Sequence, residues 1–194
     1  MIRKNDITGI ILAGGKSSRI GSDKGFLSLN GATFISHIIK AIKPFVNDII
    51  IVSNNSDYDV YKLKRVADII EDAGPLAGLY SGLNESETEY NLVLSCDVPL
   101  INGAVLNKLI KGFDAEKDII QLKSKNRTMP LIAIYKKQCL HHCQDLLLKG
   151  ERRLRTAVEQ LNTKTIELES ELDPYVRNIN TTLELKELRN ELEH

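Results

Sequence analysis

The chain reads as an α/β domain, a mostly parallel central sheet sandwiched between two layers of helices. Three observations predict this. Through the first hundred residues, short β-branched runs alternate with segments whose apolar residues recur at helical spacing. The strand-like runs are apolar throughout rather than alternating, as in a sheet buried on both faces. The polar signatures of the chain fall just after those runs, where an open parallel sheet binds its ligands.

Ile7 to Leu12 is the first strand. Ile35, Ile38, Ile39, Ile42 and Phe45 form a helical stripe with Lys40 and Lys43 on the opposite face, and Pro44 ends that helix. Asp48 to Ser53 is a buried strand that turns at Asn54-Asn55, and Val66 to Ile70 is a short third strand. Gly74 to Asn84 reads as a helix opened by glycine and proline, and Asn91 to Ser95 as a fourth strand. Beyond Asp97 the alternation loosens. Val105 to Ile110 is helical, Asp118 to Leu122 and Pro130 to Tyr135 are strands, and helices cover 138 to 148 and about 152 to 161. Thr163 to Leu168 is a last strand, and Thr181 with Glu184 forms a capping box ahead of Leu185, Leu188 and Leu192.

Composition narrows the function classes. A chain of 194 residues with 42% hydrophobic content can bury one full core. The 26 basic and 26 acidic residues cancel, so there is no electrostatic footprint for nucleic acid or for an acidic membrane. No apolar run approaches the roughly 20 residues of a membrane span, and no signal peptide opens the chain. Three cysteines without framework spacing suit a reducing compartment, so a cytoplasmic protein is expected. The final Leu192-Glu193-His194 matches the start of a vector-derived tag and is set aside, leaving one domain over 1–191.

The densest signal is Leu12-Ala13-Gly14-Gly15-Lys16-Ser17-Ser18-Arg19-Ile20-Gly21-Ser22-Asp23-Lys24. Glycines directly after a strand let backbone N–H groups close on phosphate oxygens, and Arg19 and Lys24 can neutralise them. A Walker A loop would need glycine where Ile10 stands, and a dinucleotide loop needs glycine spacing other than 14, 15 and 21. A P-loop hydrolase is thereby disfavoured. Asp97 closes the run Leu92 to Asp97 ahead of Pro99, a place suited to Mg²⁺, which favours one or two carboxylates plus substrate phosphate oxygens. Asn54, at another strand end, is a candidate for the ribose. Cys139, His142 and Cys143 share one helix face, but without further ligands they read as two buried cysteines beside surface histidines. His37 reads as a polar-face helix residue.

The glycine loop resembles the signature of nucleotidyltransferases with a Rossmann-like fold, most closely the molybdenum cofactor guanylyltransferases. The resemblance runs from Ile7 to about Leu188, with Ile20 standing where that family usually has Met. It implies that residues up to about 100 form the nucleotide-binding half and the remainder the acceptor-binding half. Leu12, Ala13, Gly14 and Gly15 would line the nucleotide, with Gly78 of Gly74-Pro75-Leu76-Ala77-Gly78. Asp72 would sit in the guanosine site, where a carboxylate can accept the paired N1–H and N2–H donors that cytosine lacks. Cys96-Asp97-Val98-Pro99 matches the metal-holding motif, making Asp97 the Mg²⁺ ligand and, with Arg19 and Lys24, catalytic. Arg152 and Arg153 of Gly150-Glu151-Arg152-Arg153 would receive the acceptor phosphate, with Arg155 nearby, and Asn178 and Asn180 would complete that side.

The implied reaction is transfer of GMP from GTP to the terminal phosphate of molybdenum-molybdopterin, with release of pyrophosphate. Transient contact with enzymes that supply or receive the cofactor would accompany it. The nucleophile is already a phosphate anion, in keeping with the absence of a His–carboxylate pair near these motifs. A cytidylyl or sugar-phosphate transferase of the same fold is the near alternative. A catalytically silent nucleotide-sensing or partner-binding domain is the distant one, and the intact Arg19, Lys24 and Asp97 set weighs against it.

Overall fold

The computed structural model describes residues 2–14, 23–70 and 74–193. Strand β1 (Ile7–Leu12) enters the glycine loop, and after it come a hairpin of β2 (Ser28–Leu29) and β3 (Ala32–Thr33), then helix α1 (Phe34–Ile42). β4 (Asp48–Val52), β5 (Lys64–Val66), α2 (Gly74–Glu85), β6 (Tyr90–Ser95) and α3 (Gly103–Lys111) follow. The second half holds β7 (Ile119–Ser124), β8 (Arg127–Lys136), α4 (Cys139–Leu148), α5 (Leu154–Gln160), β9 (Thr163–Glu167) and α6 (Thr182–Glu193). Seven strands form the central sheet in the order β5-β4-β1-β6-β8-β7-β9. β8 alone runs against the others, antiparallel to both β6 and β7.

Residue alternation within apolar strands builds the three layers. Ile7 and Ile11, Ile49 and Ile51, and Leu92 and Leu94 pack toward α1 and α3. Ile10 and Leu12, Ile50 and Val52, and Val93 face α2, α4 and α5. Gly82 lets α2 lie close to β1, because a Cβ there would come within 2.5 Å of Ile10. The capping box is formed: Glu184 N–H donates to Thr181 Oγ1 at 3.1 Å and Thr181 N–H to Glu184 Oε2 at 2.9 Å. Leu185 and Leu188 of α6 then pack on Leu29, Phe34 and Ile179, tying the end of the chain to the β2–β3 hairpin.

The third strand lies earlier than the sequence reading has it. β4 ends at Val52, which pairs with Val66, so residues beyond Val66 have no strand to extend along. The apolar Ile69 that suggested a strand is 53% exposed, and its N–H donates to Ser81 Oγ. The hairpin was missed although Asn30-Gly31 announces it; both residues have positive φ, 49° and 78°. His37 is not simply a solvated face residue, since its Nε2 bonds the Leu29 carbonyl at 2.8 Å. Cys139 and Cys143 are buried as read, but His142 is half-buried with its Nε2 enclosed rather than on the surface.

Candidate active site

The connections place β4 and β6 on opposite sides of β1, so the chain reverses direction across the sheet at β1. Crevices open at the carboxyl ends of strands at such a reversal. A cleft of about 500 Å³ lies there, lined by Leu12, Ala13 and Gly14 after β1, Asn54 after β4, Asp68 after β5, and Gly74, Pro75 and Gly78 of α2. The glycines matter for space. Gly14 stands against the Asp68 carboxylate, and Gly74 adopts φ +72° over the Arg152 carbonyl, 3.3 Å from where a Cβ would sit.

Asp23 and Asp68 are the carboxylates lining this cleft, and Asp68 is the one that follows β5. Asn54 fixes its backbone, the Asn54 Oδ1 accepting from Asp68 N–H at 2.8 Å. Its Oδ1 is enclosed and has no hydrogen-bond partner among the described residues. Burial raises the Asp68 pKa above the usual carboxylate value. Oδ1 lies toward Gly78 of α2, and Oδ2 lies beside Gly14. Sequence reasoning missed Asp68 because it lay inside the strand drawn over 66–70. Asp68 stands four residues before Asp72 in the approach to the Gly74-Pro75 helix start. Asp72 lies outside the described residues, as do Gly15, Lys16 and Arg19.

Beside the cleft, three distant segments converge. Lys24 Nζ donates to Asn180 Oδ1 at 2.6 Å and stands 3.8 Å from Asp97 Oδ2. Asp97 Oδ1 accepts from Asn178 Nδ2 at 3.0 Å, and Ile179 N–H donates to the Asp97 carbonyl at 2.8 Å. Thus the 178–180 segment is laid along the end of β6, and Lys24, Asp97, Asn178 and Asn180 form one cluster. The side chains of Lys24 and Asp97 are only 19% and 15% exposed, so their charges act in a medium less screened than water. The neighbouring Cys96 thiol is pushed up to about 12, chiefly by burial with nearby Asp97 adding to it, and stays inert.

A second cleft of about 640 Å³ adjoins the first, the two sharing Ser95 and Leu131. Arg127, Arg155, Asn178 and Asn180 line it. Arg127 and Arg155 are exposed and form no ion pair among the described residues, whereas Arg177 on the same wall is held by Glu187 and Glu191. Arg152 and Arg153 are not among the residues lining this cleft. Arg153 forks onto Glu151 with Nε and Nη2 at 3.1 and 2.9 Å, closing the turn into α5. Of the arginines near this helix start, Arg155 is the one that lines the cleft.

A divalent cation fits the donor chemistry at Asp97. The Asp97 carboxylate is a hard oxygen ligand, and phosphate oxygens of a nucleotide would supply others, while the Asn180 amide oxygen is taken by Lys24. Among the described residues no group of three or more His, Cys, Asp or Glu side chains could cage a metal without substrate. No helix among them is long and apolar enough to cross a membrane.

Comparison with known proteins agrees with this architecture. Residues 9–165 match the family described as MobA-like NTP transferase domain. A relative from Flavobacterium johnsoniae, named "Probable molybdenum cofactor guanylyltransferase", is 36% identical over 94% of this chain and 96% of its own length. One of the same name from Clostridium perfringens is 38% identical over 86% of this chain and 83% of its own. The crystal structure of molybdopterin-guanine dinucleotide biosynthesis protein A from Archaeoglobus fulgidus superposes with a TM-score of 0.81 at 24% identity, covering 96% and 98% of the two chains.

Proposed function

The chain belongs to the MobA-like NTP transferase family, and from that premise we propose that it transfers GMP from GTP to the terminal phosphate of molybdopterin carrying molybdenum. The observation that carries the guanine assignment is Asp68, a half-buried carboxylate in the wall of the first cleft. Guanine presents N1–H and N2–H side by side, and a carboxylate accepts both. Cytosine would set its own acceptors against the same charge. Asn54 stands within reach of a ribose, and Gly78 leaves the helix start open to the nucleotide. Asp72, outside the described residues, would be a second carboxylate on the guanosine.

In the reaction the acceptor phosphate attacks the α-phosphorus of GTP. A new P–O bond forms, the bond to the β-phosphate oxygen breaks, and pyrophosphate leaves. Lys24, with Arg19 and the backbone at Gly14 and Gly15, stabilises the charge that grows on the leaving pyrophosphate. Asn180 holds the Lys24 ammonium and Asn178 holds the Asp97 carboxylate, so both charges are positioned before substrate arrives. Asp97 would hold Mg²⁺, which when bound supplies positive charge to the reacting phosphates. Arg127 and Arg155 receive the acceptor phosphate, with Arg152 and Arg153 at the same helix start. The three cysteines are free and buried, which suits work in a reducing cytoplasm.

Calorimetry with Mg²⁺ and each of GTP, CTP, UTP and ATP tests the assignment on wild type and Asp68→Ala. GTP binds preferentially and the preference disappears in the variant. A CTP preference would move the chain to the cytidylyl branch, and no nucleotide binding would move it to the silent-domain reading.

A further inference from the structure

Asp23 and Lys24 are adjacent in sequence, but their side chains part. Lys24 reaches Asn180, while Asp23 turns toward the segment after β4. The Asp23 carboxylate gathers three donors from two parts of the chain. Tyr58 O–H reaches its Oδ1 at 2.5 Å, Gly25 N–H the same oxygen at 3.0 Å, and Asn55 Nδ2 reaches Oδ2 at 3.2 Å. Tyr58 is wholly buried, its ring 4.6 Å from that of Phe26. Its phenol is held well above the usual tyrosine value, first by burial and then by the bond to Asp23, so it remains a donor. No room is left for adjustment: a Cβ on Gly25 would meet the Tyr58 oxygen at 2.0 Å.

We propose that Tyr58 is a positioning residue for Lys24, acting through Asp23 to fix the backbone from which the Lys24 ammonium reaches the phosphates. The reasoning is geometric. A lysine stem has four rotatable carbons and loses more rotamer freedom than one hydrogen bond returns, so its ammonium is well placed only if its Cα is. The described backbone on either side of Lys24 is held by Asp23 on one side and by Gly25 against the Tyr58 oxygen on the other. Asn55 belongs both to this brace and to the wall of the first cleft, so nucleotide seated there presses on the same support. The proposal rests on reading Lys24 as a phosphate-binding cation.

The test is Tyr58→Phe, which keeps the ring packing and removes only the hydroxyl, compared alone and combined with Lys24→Ala. In the first arm, lysines of the unliganded protein are acylated briefly and quantified by mass spectrometry. Lys24 labelling rises by about threefold or more in Tyr58→Phe, while the exposed Lys40 and Lys43 are unchanged. In the second arm, affinity for Mg²⁺·GTP falls about fivefold to tenfold in Tyr58→Phe but less than about twofold in the Lys24→Ala background. Unchanged Lys24 labelling, or an equal affinity loss in both backgrounds, would overturn the proposal by making Tyr58 a general packing residue. If wild type binds no GTP, the guanylyl reading fails, and the labelling arm still decides the role of Tyr58.

Discussion

Among the described residues, Lys24 meets the Asn180 amide oxygen at 2.6 Å and the Asp97 carboxylate at 3.8 Å. A cation held this way needs no reorganisation when charge develops on the leaving group. Lys24→Ala therefore lowers kcat/KM by about 10²- to 10³-fold, as removal of one preorganised electrostatic group does elsewhere, measured by pyrophosphate release. Asp68 makes a prediction about pH. It must be ionised to accept guanine N–H groups, and burial raises its pKa, so GTP affinity is full above the raised value and falls as pH drops through it. The opposite sign governs folding: a carboxylate raised in the folded state penalises stability above that value, and the penalty fades as pH falls toward the unfolded-state value. Asp68→Asn thus loses GTP preference while its thermal midpoint at pH 8 rises above wild type. Lys24, Asp97 and Asn180 were all legible in the sequence because each sits in a short motif with its own chemistry. Asp68 was not, because its role depends on where β5 stops, and that is set by the length of β4 rather than by residues near Asp68.

Elements carry the site by how closely they approach one another. Helix α2 brings its first turn to the cleft because Gly82 lets it settle onto β1. Gly82→Ala sets a methyl against Ile10 and Val52 and lowers unfolding free energy by about 1–3 kcal/mol, read from urea denaturation, and it raises the KM for GTP as the helix start is displaced. The long apolar strands and the amphipathic α1 were readable from periodicity alone, since burial on two faces leaves no other pattern. The β2–β3 hairpin carried only its Asn30-Gly31 turn as a signal, in strands of two residues each, too short to show alternation. The turn at Lys125-Asn126 that joins β7 to β8 gave even less warning, for Lys125 adopts φ 47° without being glycine, asparagine or aspartate.

At the scale of the molecule, the sheet order brings together residues from four parts of the chain: Ala13-Gly14 after β1, the ends of β4 and β6, and the 178–180 segment. The last of these is held by α6, whose Leu185 and Leu188 pack on Leu29 and Phe34. Leu188→Ala therefore costs about 2–5 kcal/mol of stability by calorimetric unfolding, and turnover is lost at a lower temperature than in wild type. Two adjoining clefts share Ser95 and Leu131 as a common wall, and in the proposed reaction they would seat nucleotide and acceptor side by side. The fold class follows from local sequence, but the lining of the second cleft does not. Arg127 and Arg155 meet there only because β8 runs antiparallel and α5 turns back toward it. The most direct test of guanylyl transfer supplies the protein with Mg²⁺, molybdenum-molybdopterin and GTP labelled either at the α- or at the γ-phosphate. The account predicts that α-label enters a dinucleotide product and γ-label leaves as pyrophosphate, with no transfer from CTP. Release of labelled inorganic phosphate without product, or transfer of label from CTP in preference to GTP, would contradict it.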